Sequence, residues 1–312
     1  MPSRWKTERP MSRAAFEARF PDEAACGRHL VERRWPDGFV CPHCRSRKGW
    51  RLRRPRPTFQ CAGCRKQTSV TAGTVMHRSH LPLRTWLFAA HIVTSHSNGI
   101  SALQLQAQLG LGSYETAWFL LHRLRRAMVD PDRRQLQALV EIDETEIPLR
   151  SKHDAIDRGR GRSTVGKMPV AGAVELSPAG EPRRIRLTSI ADFSAPTLTA
   201  FVDAAAAPGA TVITDGWKGY VGLPRHDHDR KVVGKMAAHV VMKAVHRVFS
   251  NLKRWGLGTF HGLRRQHLRR YLDEFVFRFN RRRHTRAAFD SLLGLATRLP
   301  PATYRDIVDQ QV

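Results

Sequence analysis

Two short apolar segments that each carry an acid constrain this sequence more than any other feature. The first runs from Val140 to Ile147 and reads Val-Glu-Ile-Asp-Glu-Thr-Glu-Ile, and the second runs from Thr211 to Trp217 and reads Thr-Val-Ile-Thr-Asp-Gly-Trp. Both are rich in β-branched residues, which predicts strands. A strand that presents a carboxylate near its end offers a hard oxygen ligand to Mg²⁺, and a second such strand can offer another carboxylate to the same metal site. The two segments therefore predict a sheet that supports a metal site.

Asp143 and Asp215 are the acids that we expect to bind the metal. Alternate residues of a strand point to opposite faces, so Asp143 and its neighbour Glu144 cannot both reach one ion, and Asp143 has the more central position. Asp215 follows a short apolar run and precedes a glycine. That order places its carboxylate at the C-terminal tip of a buried strand, where open α/β sheets bind ligands. An ordinary strand-edge acid and a turn aspartate are the alternative interpretations.

The charge of the chain indicates what kind of partner it binds. The sequence has 312 residues, with 53 Lys and Arg against 27 Asp and Glu, which gives a net charge of +26. So large an imbalance destabilises a compact protein by self-repulsion and favours a polyanion as counter-charge. We therefore expect double-stranded DNA as the partner, with a solvated, solubilising surface as the alternative.

The sequence predicts no membrane partner. No apolar stretch approaches the roughly 20 residues that span a bilayer, and the first ten residues lack the apolar core of a signal peptide. A cytoplasmic, nucleoid-associated location is the expectation.

The cysteines predict a structural metal site. Four of the five form two C-x₂-C pairs with sixteen residues between the pairs: Cys41, Cys44, Cys61 and Cys64. This spacing is typical of a zinc ribbon, in which two tight turns aim four thiolates at one Zn²⁺. A redox pair is disfavoured because a single motif would suffice for it. We expect His43 to be a surface residue and Cys26 to be a small buried hydrophobe.

The segment after the cysteines is helical in pattern. Residues 83–95 and 100–128 have apolar side chains at helical spacing, with Gly99 and the Gly110–Ser113 stretch as breaks. The second range resembles a helix-turn-helix, although a helix pair with a glycine turn occurs in many helical domains. We predict that its second helix buries four apolar residues, namely Ala117, Leu120, Leu121 and Leu124. We predict that the same helix presents three residues to DNA, namely Tyr114, Arg123 and Arg126.

From residue 137 onward the pattern becomes rich in strands. Strands are predicted at 139–147, 170–176, 183–190 and 211–214, and helices at 195–206, 242–255 and 263–281. This order favours an α/β layer in which helices flank a mixed sheet. We therefore predict a multidomain protein with a helical lead-in and zinc ribbon over residues 11–72, a helix-turn-helix-like DNA-binding segment over 80–130, and an α/β catalytic domain over 137–297.

A helix from Val245 to Trp255 supplies further candidate residues. His246 and Lys253 lie on one face of it, about 10.5 Å apart along the axis. A basic helix that follows the DNA backbone is the alternative interpretation. Arg247 and Arg254 on the same helix are predicted DNA contacts.

The order of these motifs resembles that of bacterial insertion-sequence transposases of the ISXO-two-like group. The resemblance runs from about Phe16 to Leu295 and includes the blocks Ser250–Trp255 and Tyr271–Arg282. It implies an RNase-H-like fold and a DDE-type active site in which Asp143 and Asp215 bind Mg²⁺ or Mn²⁺. The third position of the family is usually Glu or Asn, seven residues before a Lys. Here that position falls on His246, and the Lys falls on Lys253.

The resemblance implies a DNA transposase that binds the terminal repeats of an insertion sequence and catalyses strand cleavage and strand transfer. It also implies target DNA as a second DNA partner and a homo-oligomer assembled on DNA. His246 is a candidate metal ligand, and because Mg²⁺ prefers oxygen, an imidazole there would weaken its binding or favour Mn²⁺. Glu274 is a second-choice acid, with an ion pair to Arg278 one helical turn away as its alternative.

Three other functions are compatible with the same residues. The first is a zinc-ribbon DNA-binding regulator without catalysis. The second is a degenerate transposase copy that still binds DNA. The third is a structure-specific nuclease that cleaves DNA without joining ends.

Overall fold

A computed structural model describes residues 9–148, 166–220, 222–231 and 241–308. The helices are α1 (Arg13–Arg19), α2 (Glu23–Arg34), α3 (Leu83–Ser95), α4 (Ala102–Leu109), α5 (Tyr114–Arg126), α6 (Ala195–Ala205), α7 (Lys243–Phe260), α8 (Leu268–Arg281), α9 (Thr285–Arg298) and α10 (Tyr304–Val308). The strands are β1 (Gly49–Arg51), β2 (Thr58–Cys61), β3 (Gln67–Ser69), β4 (Leu139–Pro148), β5 (Lys167–Leu176), β6 (Pro182–Ser189), β7 (Thr211–Asp215) and β8 (Asp227–Lys231). Among the described helices, none is long and apolar enough to cross a membrane.

The chain forms two compact units. Of the described residues, those from 9 to 130 and from 281 to 307 form the N-terminal unit, and those from 131 to 280, with Val308, form the sheet unit. This division differs from the predicted domain limits, because residues 281–297 lie with the N-terminal unit. Helix α9 carries apolar residues such as Phe289 and Leu292 on its buried side. An amphipathic pattern predicts that such a helix is buried, but it does not specify which surface covers it.

Ring contacts and ion pairs attach α9 to the N-terminal helices. Phe289 lies 5.7 Å from Phe20, measured between ring centroids. The carboxylate of Asp290 lies 3.1 Å from His29 Nε2 and 3.2 Å from Arg33 Nη2. The C-terminal segment therefore contributes to the core of the N-terminal unit.

Helices α4 and α5 form the predicted helix pair. Helix α4 begins with a capping box between Ser101 and Gln104, and it ends at Gly110, which has the left-handed φ of 62° that favours glycine. Helix α5 begins at Ser113, whose hydroxyl accepts the N–H of Thr116. The turn between the two helices lies where the glycine-rich break predicted it.

The sheet unit contains a five-stranded mixed sheet with the order β6-β5-β4-β7-β8. Strands β6, β5 and β4 are antiparallel neighbours, whereas β7 is parallel to β4 and β8 is parallel to β7. Helix α6 packs on one face of the sheet over residues such as Ile142 and Val212. Helices α7 and α8 pack on the other face over residues such as Val170 and Val174. The predicted multidomain architecture, with an RNase-H-like mixed sheet flanked by helices, is confirmed.

Strand β8 was not predicted. Its sequence, Asp-His-Asp-Arg-Lys, has no apolar alternation. It lies at one edge of the sheet and pairs with β7 through its main chain, a position that needs no apolar face.

Candidate active site

Strand β4 presents two carboxylates to the face of the sheet that α7 covers. Ile147 belongs to the core on the α7 face, and Ile142 belongs to the core on the α6 face. Because side chains alternate along a strand, Glu141 and Asp143 share the face of Ile147. Asp143 is 7% exposed, and its Oδ1 accepts the N–H of Glu144 at 2.8 Å. The Asp143 carboxylate is therefore held at a defined place beside the helix.

Asp215 lies level with Asp143 on the neighbouring strand. Strands β4 and β7 are parallel, with Val140 opposite Val212 and Glu141 opposite Ile213. Continuing that register by two residues brings Asp143 opposite Asp215, on strands about 4.8 Å apart. Asp215 is the last residue of β7, and its Oδ1 accepts the N–H of Trp217 at 2.9 Å. The register of the two strands thus directs the two predicted aspartates to neighbouring positions on one face of the sheet.

Helix α7 brings His246 to the same place. His246 Nε2 lies 3.3 Å from Asp143 Oδ2, and 30% of the imidazole side chain remains exposed. The residue at the third position of the predicted site is therefore beside the first, although their separation in sequence is large. A ring nitrogen at this distance can share a metal ion with the carboxylate or exchange a proton with it.

Glu141 fixes the start of α7, a role that its sequence context does not reveal. Its carboxylate is buried, and Oε2 accepts the N–H groups of Ala244 at 2.9 Å and Val245 at 2.8 Å. These donors belong to the first turn of α7, where main-chain N–H groups lack partners in the helix and an anion is favoured. Burial raises the pKa of Glu141, although both N–H groups favour its charged form. A buried Glu two residues before a candidate ligand, and thus on its face, is the signal that could have revealed it.

Gly172 lets α7 approach the sheet at the level of Asp143. Gly172 on β5 pairs with Asp143 on β4. A Cβ at Gly172 would lie 2.5 Å from Cε1 of Phe249, so the aromatic ring rests directly on the strand. Phe249 follows His246 by one turn, and this close packing holds the histidine near the sheet.

Tyr220 lies close to several acidic side chains. It lies in the short 3₁₀ helix Lys218–Tyr220 that follows Asp215, and it is 1% exposed. Burial raises the pKa of Tyr220 well above its ordinary value of 10.0, and the carboxylates of Glu144, Asp143 and Asp215 raise it further. The tyrosine therefore remains a neutral hydroxyl beside a set of three acids that includes both predicted ligands.

Lys253 lies seven residues after His246 on α7, and it is half-buried. It lines a cavity of about 140 Å³ together with Ile147 of β4 and Leu263. The second-choice acid, Glu274, is 1% exposed on α8, and its Oε1 lies 3.9 Å from Arg278 Nη1. This arrangement matches the ion pair with Arg278 that was the alternative to a role of Glu274 as a metal ligand.

The structure corrects one predicted DNA contact. Arg123 is 8% exposed, and its guanidinium donates to the carbonyl oxygens of His77 at 3.1 Å and Ala302 at 3.0 Å. The helical pattern of α5 predicts a surface position for Arg123. It does not reveal that residues near the C-terminus of the chain cover this part of the helix. Of the other predicted contacts on α5, Tyr114 is 47% exposed and Arg126 is half-buried.

The remaining predicted contacts lie on α7. Arg247 and Arg254 are both exposed, so their guanidinium groups are accessible to a polyanion.

The four cysteines converge as a zinc site requires. Cys41 Sγ lies 3.6 Å from Cys64 Sγ, and Cys44 Sγ lies 3.5 Å from Cys61 Sγ. A tetrahedral Zn²⁺ with bonds of about 2.3 Å would space its sulfur ligands about 3.8 Å apart. The N–H of Cys64, with further donors, lowers the pKa of Cys61 to about 6, which favours the thiolate that binds metal. In the part of the chain that the structure describes, these form the one group of three or more His, Cys, Asp or Glu ligand atoms that all lie within 4.8 Å.

The two other predictions about this region also hold. His43 is exposed, as a residue outside a complete Cys₄ shell should be. Cys26 is 0% exposed and has no place in the tetrad.

Comparison with known proteins finds matches to both the zinc ribbon and the sheet unit. Residues 21–67 match the transposase zinc-ribbon domain, and residues 135–280 match the ISXO2-like transposase domain. The chain is also 29% identical over 285 residues to a protein described as an uncharacterized protein in transposable element ISH50 of Halobacterium salinarum, with 83% of this chain and 91% of that protein covered.

These similarities support a transposase with an N-terminal zinc ribbon. The matches to a transposase zinc-ribbon domain and an ISXO2-like transposase domain confirm the resemblance predicted from the sequence. The second matched range ends at residue 280, where the sheet unit also gives way to the N-terminal unit. Asp143, Asp215, His246 and Lys253 all lie within that range.

Proposed function

We propose that this chain is the DNA transposase of an insertion sequence. It binds the terminal repeats of the element and a target DNA, and it catalyses metal-dependent strand cleavage and strand transfer. The observation that carries the proposal is the contact between His246 and Asp143, in which His246 Nε2 is 3.3 Å from Asp143 Oδ2. The parallel register of β4 and β7, continued by two residues, supports Asp215 as the neighbouring acid.

The donor set fits Mg²⁺ or Mn²⁺. Two carboxylates supply the oxygen ligands that both ions accept, and an imidazole suits Mn²⁺ better than Mg²⁺. Asp143, Asp215 and His246 would hold the metal, which would supply activation of the attacking oxygen and stabilisation of the leaving 3′-oxygen in an in-line displacement.

Each side chain has a role that follows from its contacts. Asp143, oriented by the N–H of Glu144, and Asp215, oriented by the N–H of Trp217, are the proposed carboxylate ligands of the metal. His246 ligates a metal or positions the reacting phosphate through Nε2. Lys253, on the same helix, contacts a phosphate near the scissile bond. Glu141 supports these groups by anchoring the first turn of α7.

The exposed arginines of α7 suit the backbone of DNA. Arg247 and Arg254 offer guanidinium groups that can pair with phosphate oxygens without reading sequence. Because a transposition event joins two ends to one target, the proposal includes a homo-oligomer assembled on DNA. A nucleoid-associated, cytoplasmic protein follows from that role.

A copy that binds DNA without cleaving it is the second candidate. The observation that favours it is the imidazole, in place of a carboxylate or amide, beside Asp143. In that case the zinc ribbon and helix pair would act as a DNA-binding regulator.

Strand cleavage and joining by the purified full-length protein test the proposal. The substrate is a duplex that carries the terminal sequence of the element, with Mg²⁺ or Mn²⁺ present. We expect Asp143→Asn and Asp215→Asn each to lower the cleavage rate at least about a thousandfold, with DNA affinity within about twofold of wild type. Asp229→Asn is the matched control, because Asp229 lies on β8 in an exposed ion pair with Lys231.

The possible outcomes separate the candidate functions. Cleavage that survives in both aspartate variants would overturn the assignment of the site. Cleavage without joining would indicate a structure-specific nuclease. A wild-type protein that binds the duplex but cleaves it with neither metal would indicate the regulator or a degenerate copy.

A further inference from the structure

One face of the zinc-ribbon sheet carries an unusual row of side chains. Trp50 on β1 pairs with Gln60 on β2, and Gln60 pairs with Gln67 on β3. Residues directly opposite each other in an antiparallel sheet point to the same face, so these three side chains form one row across the strands. Trp50 is 46% exposed, Gln67 is exposed and Gln60 is half-buried. We call this row the amide face.

The opposite face of the same sheet is packed. The ring of Phe59 stacks on Phe39 at 5.1 Å and meets Trp35 at 5.1 Å. Gly49 lies on this side, because a Cβ there would be 2.8 Å from the ring of Phe39. The ribbon therefore has one side that belongs to its own core and one side that faces solvent with a large aromatic residue and two amides.

The ribbon that carries the amide face also has many exposed cations. The exposed Lys and Arg residues of the ribbon are Arg45, Arg47, Lys48, Arg51, Arg53, Arg54, Arg65 and Lys66. From residue 38 to residue 114 the sequence contains no Asp or Glu. A surface of this charge matches a polyphosphate backbone, and its cations contribute affinity without sequence preference.

The chemistry of the amide face differs from that of the exposed cations of the ribbon. A glutamine amide can donate and accept at once, and in the major groove it forms a bidentate contact with adenine. That groove admits two neighbouring β-strands, and Gln60 and Gln67 lie on the neighbouring strands β2 and β3. An aromatic side chain beside the amides can contact a thymine methyl group, which is the apolar feature of the same groove.

We propose that the amide face enters the major groove of duplex DNA, where Gln60 and Gln67 read base edges beside Trp50 while exposed cations of the ribbon hold the phosphates. The proposal rests on the proposed function, since it assigns to the ribbon a share in recognising the ends of the element. It names the ribbon as a reader of sequence in addition to a source of charge.

Selection from a pool of duplexes with a randomised 20-bp centre tests this inference with the full-length, zinc-loaded protein. We expect wild type to enrich a motif that includes adenine positions, and we expect the double variant Gln60→Ala/Gln67→Ala to lose preference at one or two of them. On the wild-type motif, that variant should bind about fivefold or more weakly. On a scrambled duplex its affinity should stay near that of wild type.

Two further variants show what kind of contact is lost. Arg53→Ala/Lys66→Ala should keep the motif, bind all duplexes more weakly and reduce the salt dependence of binding by about two charges. Gln266→Ala, an exposed glutamine of the sheet unit, is the matched control and should change nothing. Zinc content and circular dichroism show that each variant is folded, and Gln67→Ala alone serves if the double variant is not.

Several results would overturn the inference. An unchanged motif in the double glutamine variant would show that the ribbon does not read sequence. Equal competition by a single-stranded oligonucleotide would show that the face binds unpaired bases instead of a duplex. A wild-type protein that binds no duplex at all would instead overturn the proposed function.

Discussion

The two candidate metal sites of this protein are assembled in opposite ways. The cysteine site draws its four ligands from two short turns of one small ribbon, and their sulfur atoms lie within 4.8 Å of one another. The carboxylate site takes Asp143 from β4, Asp215 from β7 and His246 from α7, residues that only the tertiary fold of the sheet unit brings together. In the first site, metal binding is expected to stabilise the fold of the ribbon. In the second site, the fold of the sheet unit positions the metal ligands.

This difference predicts different responses to the loss of metal. The ribbon is small, its strands are three or four residues long, and its core is little more than one aromatic cluster. Such a module depends on its ion for stability. The sheet unit has cores on both faces of five strands, so its fold does not depend on bound metal.

Removal of zinc should have the largest effect on stability. Cys61→Ser removes one of the four ligands, and we expect it to unfold the ribbon, because zinc binding supplies on the order of 10 kcal/mol to such domains. Hydrogen exchange measured peptide by peptide should show loss of protection over β1 to β3 and unchanged protection over β4 to β8. Equal loss of protection in both regions would contradict the proposed difference between the two metal sites. The matched control is Cys26→Ser, which changes a buried cysteine outside the tetrad and should leave zinc content unchanged.

The same difference explains what the sequence could predict. The cysteine spacing is local, so it identified all four zinc ligands. Apolar patterning located the buried strands β4 to β7 and the helix pair α4 and α5, since a period of two or 3.6 residues shows directly in the sequence. Strand β8 could not be predicted in this way, because an edge strand of polar residues has no such apolar period.

Features that depend on tertiary partners could not be predicted in the same way. Helix α9 is amphipathic, but only the fold shows that it is buried by the N-terminal unit. Arg123 has the position of a surface residue on its helix and is covered by a segment some 180 residues away. Glu141 looked like one more acid in an acidic strand, because its partners are main-chain N–H groups of a distant helix.

Glu141 tests whether tertiary support of the carboxylate site matters for activity. Both N–H groups of α7 donate to the same oxygen, so Glu141→Gln keeps an acceptor for them and Glu141→Ala does not. We expect the alanine variant to lower kcat for strand cleavage about 10- to 100-fold, the effect typical of removing a group that orients a metal ligand, with KM for DNA unchanged. The glutamine variant should restore most of the rate. Equal activity of the two variants would show that the contact does not position His246.

Gly172 tests the close packing of α7 on the sheet with a smaller expected effect. Gly172→Ala places a Cβ 2.5 Å from the ring of Phe249, and we expect it to cost about 1–3 kcal/mol of stability. Gly258→Ala is the control on α7 itself, because a Cβ there meets nothing within 4 Å and alanine favours a helix by up to about 1 kcal/mol. Urea unfolding of both variants gives the two values. A Gly172→Ala protein as stable as Gly258→Ala would contradict the packing.

Mn²⁺ binding to the zinc-loaded protein, followed by electron paramagnetic resonance, tests the central claim most directly. The closed thiolate site does not take up this ion, so the signal reports the carboxylate site. We predict that wild type and Asp229→Asn bind Mn²⁺ alike, that Asp143→Asn and Asp215→Asn each weaken binding about a hundredfold, and that His246→Ala weakens it about tenfold. Equal Mn²⁺ affinity in wild type and both Asp143→Asn and Asp215→Asn would contradict the assignment of these aspartates as the metal ligands.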